Sequence, residues 1–217
     1  MVSDFKLLGC TIDNNLTFEK NFKTVKSTIC SKLFAIKNLF FLSFDIKLHF
    51  FKTFILPHFD YCSSLFVYYS GKLVNNLCKL YNFCIFILLK LDLKFLSYEA
   101  QQKLLKPLNL MPLKFRLFFR FSLLSHKILN KQILLNISDL LQPITKLAHT
   151  RDKSSNLYLI PIKCSVKGAK RISIVLATMV NKVLRNSTNL SLKDFLHFIF
   201  SNSDDLFYKF SKFILYN

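Results

Sequence analysis

The sequence predicts a mainly α-helical fold with a short β element at its N-terminus. Hydrophobic residues make up 52% of the 217-residue chain, which is enough to build a core and argues against disorder. Only three glycines and five prolines are present, and this scarcity of turn residues favours helices with short connections over a strand-rich sandwich. Apolar residues also recur at spacings of three and four along much of the chain, which is the helical period.

The first elements are predicted from a turn signal and an apolar stripe. Residues 5–12 alternate loosely between apolar and polar side chains, and Asp13-Asn14-Asn15 supplies turn chemistry, so we predict one short strand and a turn. Thr17 is then placed to cap a helix. The apolar stripe of that helix consists of Phe18, Phe22, Val25, Ile29, Leu33, Ile36 and Phe40.

A proline interrupts the second helical stretch. We predict that Asp45 caps a helix that reaches Pro57, where the missing N–H and the ring produce a kink. The helix then resumes through Tyr68, and Gly71 marks its end. The next helix spans about 72–89, with its second half buried because it is uniformly apolar.

Capping signals predict the remaining elements. Ser97 opens a short helix that ends near Pro107, and Pro112 starts a helix through Asn130. An aromatic and β-branched run that contains a proline predicts an edge strand near 157–162. Three helical pieces follow, at about 172–185, at 191–200 with Ser191-x-x-Asp194 as a capping box, and at 205–215.

The charge of the chain favours a polyanionic partner. Its 31 basic and 12 acidic residues leave a formal net charge of +19. The basic residues are spread along the sequence, and no acid falls between Glu99 and Asp139 or between Lys153 and Lys193. Such a positive field makes nucleic acid the first candidate partner, because binding releases the counterions of the phosphates. An anionic membrane surface is the second candidate.

No membrane span and no secretory signal are predicted. The uncharged runs 80–89 and 172–181 have about half of the ~20 residues that a spanning helix needs. The N-terminus lacks a charged segment followed by an apolar one, so we expect an intracellular protein, in the nucleus or the cytoplasm. The six cysteines have no CxxC spacing and are expected to be buried free thiols, with neither a disulfide framework nor a zinc site.

The stretch from Phe54 to Ser64 breaks the helical pattern with a proline, a histidine, an acid and small polar residues. One hypothesis is nucleophilic catalysis, with Cys62 as the thiol, His58 as the base and Asp60 as the orienting carboxylate. We favour a structural role instead. In that role Asp60 caps the resumed helix, and His58 bonds the backbone that Pro57 frees.

The same stretch carries a family resemblance. Residues 57–64 (PHFDYCSS), with Pro57, His58, Asp60, Tyr61 and Cys62, resemble a signature found downstream of the polymerase core in LINE-type (non-LTR, jockey-like) retrotransposon reverse transcriptases. Further segments resemble motifs of that family, in the family's order. They are 6–18 (KLLGCTIDNNLTF), 110–116 (LMPLKFR), 126–130 (HKILN), 138–141 (SDLL) and 185–190 (RNSTNL).

The resemblance implies a helical, thumb-like bundle divided into four parts. Residues 1–17 would be the end of the palm with the primer grip, and 18–135 the thumb-like domain. Residues 136–156, rich in Pro, Thr and Ser, would be a linker, and 157–217 a small region of a strand and helices. The family carries its metal-binding carboxylates upstream of the primer grip, so this chain is expected to be no enzyme on its own.

The function implied by the resemblance is a grip on the RNA/DNA template–primer duplex through its backbone. The residues expected to contact phosphates are Lys23, Lys26, Lys114, Arg116 and Arg120, and Gly9 would allow the primer strand to approach closely. The Phe residues between Lys114 and Phe121 are expected in the core.

No cofactor or small-molecule substrate is expected, since Mg²⁺ would belong to the full-length polymerase. Asp204-Asp205 is interpreted as a helix N-terminus and not as a metal site. The alternative to a nucleic-acid grip is a non-enzymatic interaction protein or an inert transposon remnant.

Overall fold

The structure, a computed structural model, describes residues 4–37, 41–130, 132, 158, 172–182, 184, 187 and 190–210. The described residues are mainly helical, with 73% of them in helices and one short antiparallel two-stranded sheet, which confirms the predicted class. The predicted linker 136–156, the strand near 157–162 except Tyr158, and Cys164 lie outside the described residues.

The bounds of the elements are as follows. The strands are β1 (Asp4–Leu7) and β2 (Cys10–Asp13). The described residues form the α-helices α1 (Glu19–Lys37), α2 (Phe44–Phe50), α3 (Leu56–Asp60), α4 (Gly71–Leu89), α5 (Tyr98–Leu105), α6 (Leu113–Leu129), α7 (Ile172–Lys182), α8 (Leu192–Ser201) and α9 (Ser203–Phe210). The described residues also form a π-helical turn (Phe51–Ile55) and two 3₁₀ turns (Ser63–Tyr68 and Lys106–Leu108).

The chain begins with a hairpin, where the sequence predicted a single strand. β1 pairs with β2 in register Asp4↔Asp13 to Leu7↔Cys10. The two residues between the strands, Leu8 and Gly9, both have positive φ, at 46° and 82°. Two-residue turns with positive φ at both positions match the twist of the flanking strands, so Gly9 closes the hairpin.

The carboxylate of Asp13 organises the entry into α1. It accepts hydrogen bonds from the backbone N–H of Asn15, Thr17 and Phe18 and from the Thr17 hydroxyl, over 2.7–3.1 Å. Desolvation acts to raise the pKa of Asp13, but these bonds outweigh it and hold the pKa below its usual value. Thr17 accepts from the N–H of Glu19 at 3.4 Å, but it is not the N-cap that we predicted. That position belongs to Phe18, which has positive φ and whose carbonyl accepts from the N–H of Phe22.

A π-helical turn precedes Pro57, where the sequence predicted a kink. Ser43 caps α2, accepting from the N–H of Ile46, while Asp45, the predicted cap, lies in the first helical turn. The chain then widens into the π turn and restarts as α3 with Pro57 in its first turn. The N–H of Leu56 donates to the carbonyl of Phe51, five residues earlier, and Pro57, which has no N–H to donate, follows directly after this wider turn.

α4 is the central helix of the N-terminal part. It begins at Gly71 behind the cap Ser70, so Gly71 starts this helix and does not end the one before it. Its buried face includes Leu77, Tyr81 and Ile85, which are 0% exposed.

Among the described residues, α4 alone is long and apolar enough to cross a membrane by length and composition, whereas the sequence prediction counted only shorter uncharged runs. Half of its apolar window is buried inside the fold. Core helices meet the same criteria, so no membrane span is established.

The chain divides into two compact units, residues 1–117 and 118–217. In the second unit, Phe118, Phe121 and Phe195 are buried. Phe115 is buried in the first unit. Phe115, Phe118 and Phe121 thus confirm three of the predicted core positions on α6, whereas Phe119 is only partly buried. Ser191 accepts from the N–H of Asp194 at 3.2 Å, which confirms the predicted N-terminal cap of α8.

Candidate nucleic-acid interface

Tyr61 ties the hairpin turn to the segment that follows Pro57. Its hydroxyl donates a hydrogen bond to the carbonyl of Leu8. A Cβ placed on Gly9 would lie 3.6 Å from Cε1 of the Tyr61 ring. Tyr61 is 56% exposed, so this contact lies at the surface. The close approach at Gly9 is therefore made by a side chain of the same chain.

Cys62 meets the hairpin one residue later. It adopts a left-handed conformation with φ of 50°, just after α3 ends. This turn brings its thiol into hydrogen-bonding contact with Cys10, which is 5% exposed. Burial, and then the contact with Cys62, raise the pKa of Cys10 to about 12. Cys10 is therefore a thiol at neutral pH.

Within the first unit, Asn21 of α1 links β2 to Tyr69, the residue that follows the 3₁₀ turn Ser63–Tyr68. Its amide oxygen accepts from the N–H of Thr11 in β2 at 3.1 Å. Its amide nitrogen donates to the hydroxyl of Tyr69 at 2.9 Å. Asn21 is 5% exposed, and burial raises the pKa of Tyr69 to about 12. A polar residue on the apolar side of α1 is the only sequence signal for this link.

His58 contacts a lysine, although we predicted that it would bond the backbone. Its Nε2 lies 2.7 Å from Nζ of Lys32, and Lys32 donates to the carbonyl of Phe54 in the π-helical turn at 3.1 Å. Lys32 therefore donates the side-chain hydrogen bond to the backbone carbonyl near Pro57, and His58 contacts Lys32 and not the backbone. Burial, and then the charge of Lys32, lower the pKa of His58, so the ring is neutral and its Nε2 accepts a hydrogen bond from the Lys32 ammonium.

Asp60 forms a two-pronged ion pair with Arg116. Nε and a terminal nitrogen of Arg116 each lie 2.5 Å from one oxygen of Asp60. The side chains are 14% exposed for Arg116 and 19% for Asp60. The predicted capping role is wrong, since Cys62 holds the cap position of the 3₁₀ turn without a side-chain bond. Planar Arg–carboxylate pairs of this type are among the stronger polar contacts.

These contacts join the β1–β2 hairpin to the residues that follow Pro57. We call the set of Leu8, Gly9, Asp60, Tyr61 and Arg116 the joint, because it connects the hairpin, the end of α3 and α6. His58, Asp60 and Cys62 contact Lys32, Arg116 and Cys10, respectively. The three side chains considered for nucleophilic catalysis thus have three different partners.

The predicted phosphate-binding residues fall into distinct environments. Lys23 and Lys26 are exposed, three residues apart on α1, and neither forms an ion pair within the described part of the chain. Arg116 is engaged by Asp60. Lys114 is half-buried. Burial raises the pKa of Cys78 to about 11, and the nearby charge of Lys114 acts to lower it. Arg120 is exposed and belongs to the second unit.

Two other sequence features can be placed. Asp204 and Asp205 lie in the first turn of α9, and Asp205 pairs with Lys209 at 2.6 Å, as expected of a helix N-terminus. Within the described ranges no three His, Cys, Asp or Glu side chains are grouped as metal ligands.

An apolar groove that the sequence did not predict lies between α1 and α4. Its lining consists of Cys30, Leu33, Phe34, Phe83 and Ile87. The signal that could have found it is the outward position of Phe34 and Phe83 on otherwise amphipathic helices.

No protein-family model, no curated protein and no solved structure matches the chain.

Proposed function

We propose that this chain is the C-terminal, thumb and post-thumb portion of a non-LTR retrotransposon reverse transcriptase, and that it grips the template–primer duplex without catalysing synthesis. The joint carries the proposal. Three of the segments on which the family resemblance rests, 6–18, 57–64 and 110–116, contribute Gly9, Tyr61 with Asp60, and Arg116 to it.

The convergence is informative because the segments are far apart in sequence. Arg116 and Asp60 are separated by 56 residues, and Tyr61 and Leu8 by 53. Residues that resemble a family's motifs and also contact one another form one physical unit, which supports interpreting the motifs together. In this proposal the joint fixes the primer-grip hairpin against the helices.

The binding chemistry comes from exposed cations. Lys23 and Lys26 project from one face of α1, since residues three apart are neighbours on a helix. With a net charge of +19, such lysines neutralise phosphates and give binding without sequence preference. Arg116 acts as a structural member of the joint in this proposal, because Asp60 engages its guanidinium.

The test is the affinity of the full chain for an RNA–DNA hybrid, measured by fluorescence anisotropy at several KCl concentrations. We expect Lys23→Gln and Lys26→Gln each to weaken binding and to reduce the slope of log K against log salt by about 1. Lys103→Gln, at an exposed position on α5, is the matched control and is expected to change the slope less.

An affinity equal to that of an unrelated protein of similar charge, or equal effects of all three substitutions, would contradict the grip. The chain would then fit the alternative, a non-enzymatic interaction protein or an inert remnant.

A further inference from the structure

The groove between α1 and α4 exposes aromatic side chains on the surface of the first unit. Phe34 is 70% exposed and Phe83 is 50% exposed, on opposite walls above Cys30 and Leu33. The space between the walls is about 90 Å³ and opens to solvent, which is well below the volume of ordinary ligand clefts and leaves room for the face or edge of one ring but not for a whole small molecule.

Cations lie at one end of this groove. Asn21, near the start of α1, bonds Tyr69 just before α4, while Phe34, near the end of α1, lines the groove with Phe83 and Ile87. α1 and α4 therefore run parallel. Lys26 precedes Cys30 by four residues and Lys79 precedes Phe83 by four, so each lysine lies one helical turn before a groove residue.

Both lysines are available at the surface. Lys26 and Lys79 are exposed, and neither takes part in an ion pair among the residues that the structure describes. A groove with aromatic walls and two cations at the same end matches the parts of a nucleotide, which has a flat base and an adjacent phosphate.

We propose that this groove binds unpaired nucleotides of a single strand, with a base stacked on Phe83 and Phe34 and the backbone phosphates held by Lys26 and Lys79. The inference rests on the proposed function and deepens it, since Lys26 belongs to both surfaces. A strand leaving the duplex beside Lys23 and Lys26 would enter the groove directly. Base stacking on aromatic side chains combined with cations is the usual means of single-strand binding.

An anionic membrane surface fits the groove less well. Peripheral helices insert a whole apolar face into the headgroup region. Here half of the apolar window of α4 is buried in the fold, and the exposed aromatic side chains line a concave feature. The groove lining is therefore not a continuous apolar helix face of the kind that inserts into a bilayer.

The test compares the binding of a labelled oligo(dT) strand and of an RNA–DNA hybrid to the full chain. We expect the double variant Phe34→Ala with Phe83→Ala to lose between about 5- and 100-fold in affinity for the single strand and less than about twofold for the hybrid. Phe83→Tyr keeps an aromatic ring and should restore most of the affinity. Phe95→Ala, which changes an 85% exposed phenylalanine outside the groove, is the control.

The outcomes separate this inference from the proposed function. Unchanged single-strand binding by the double variant, or an equal loss in Phe95→Ala, overturns the groove proposal even if hybrid binding stands. Groove-dependent binding of oligo(dT) without hybrid binding supports the groove and overturns the duplex grip. If the double variant loses affinity only for phosphatidylserine vesicles, the groove is a membrane contact and the proposal is wrong.

Discussion

The ion pair between Asp60 and Arg116 shows how much a single contact can matter in this fold. Both groups are mostly shielded from water, so removing one leaves an uncompensated charge. Breaking such a pair costs about 3 kcal/mol, whereas an exposed pair contributes about 0–1 kcal/mol. The pair between Lys20 and Asp4 is of the exposed kind, with Lys20 56% exposed.

We therefore expect Asp60→Asn and Arg116→Met each to lower the free energy of unfolding by about 3 kcal/mol in urea titrations. Lys20→Gln is the control and should cost about 1 kcal/mol or less. The double variant of Asp60 and Arg116 should be less destabilised than the sum of the two single variants. Strict additivity would show that the two residues do not act as a pair.

His58 makes stability depend on pH near neutrality. Its folded pKa is lowered by burial and by Lys32, so the unfolded chain takes up a proton more readily than the folded chain does. The contribution of His58 to the free energy of unfolding is therefore fully present above the unfolded pKa of about 6.5. It is lost as the pH falls through the lower folded pKa.

We expect His58→Gln to flatten the decrease in unfolding free energy below about pH 6.5, because glutamine cannot take up the proton. His49, on α2, is exposed, and His49→Gln serves as the control. Equal pH profiles for wild type and His58→Gln would show that His58 is not the titrating group.

At the level of elements, the hairpin and α4 each contain a glycine, for different reasons. Gly9 has φ of 82°, which other residues adopt only with strain. Gly71 opens α4, and a Cβ there would meet nothing within 4 Å.

Gly9→Ala is expected to destabilise the protein by about 1 kcal/mol, because the turn requires a left-handed residue. Gly71→Ala should be neutral or stabilising by up to about 1 kcal/mol, since alanine restricts the unfolded chain and suits a helix. Thermal unfolding of the two variants measures the contrast. A similar loss in both would contradict the role of the positive φ at Gly9.

For the whole molecule, the excess of positive charge is the dominant property. A net charge of +19 over 217 residues makes the folded chain repel itself, and salt screens that repulsion. We expect the unfolding midpoint to rise as KCl increases from about 20 to 200 mM, over which the screening length falls from about 20 to 7 Å. An equal osmolarity of a neutral solute is the control. A midpoint that is independent of ionic strength would contradict this prediction.

Local signals predicted most of the helices. Ser97, Pro112 and Ser191 precede helices in the structure as their sequences indicated, because capping acts on backbone groups within one turn. The single strand predicted over 5–12 was wrong, since Leu8 takes a left-handed conformation that its own preference does not indicate. Asp45 and Gly71 were assigned wrong roles because Ser43 and Ser70 are better placed to cap.

The sequence by itself determined the helical class, the departure from regular α-helix next to Pro57 and the strong positive charge, all of which follow from local backbone chemistry and composition. Only the tertiary structure decided that Asp60 meets Arg116, that His58 meets Lys32, and that Phe34 and Phe83 face each other across a groove. The physical reason is that capping and periodicity act over a few residues, whereas these partners come together only when distant helices pack.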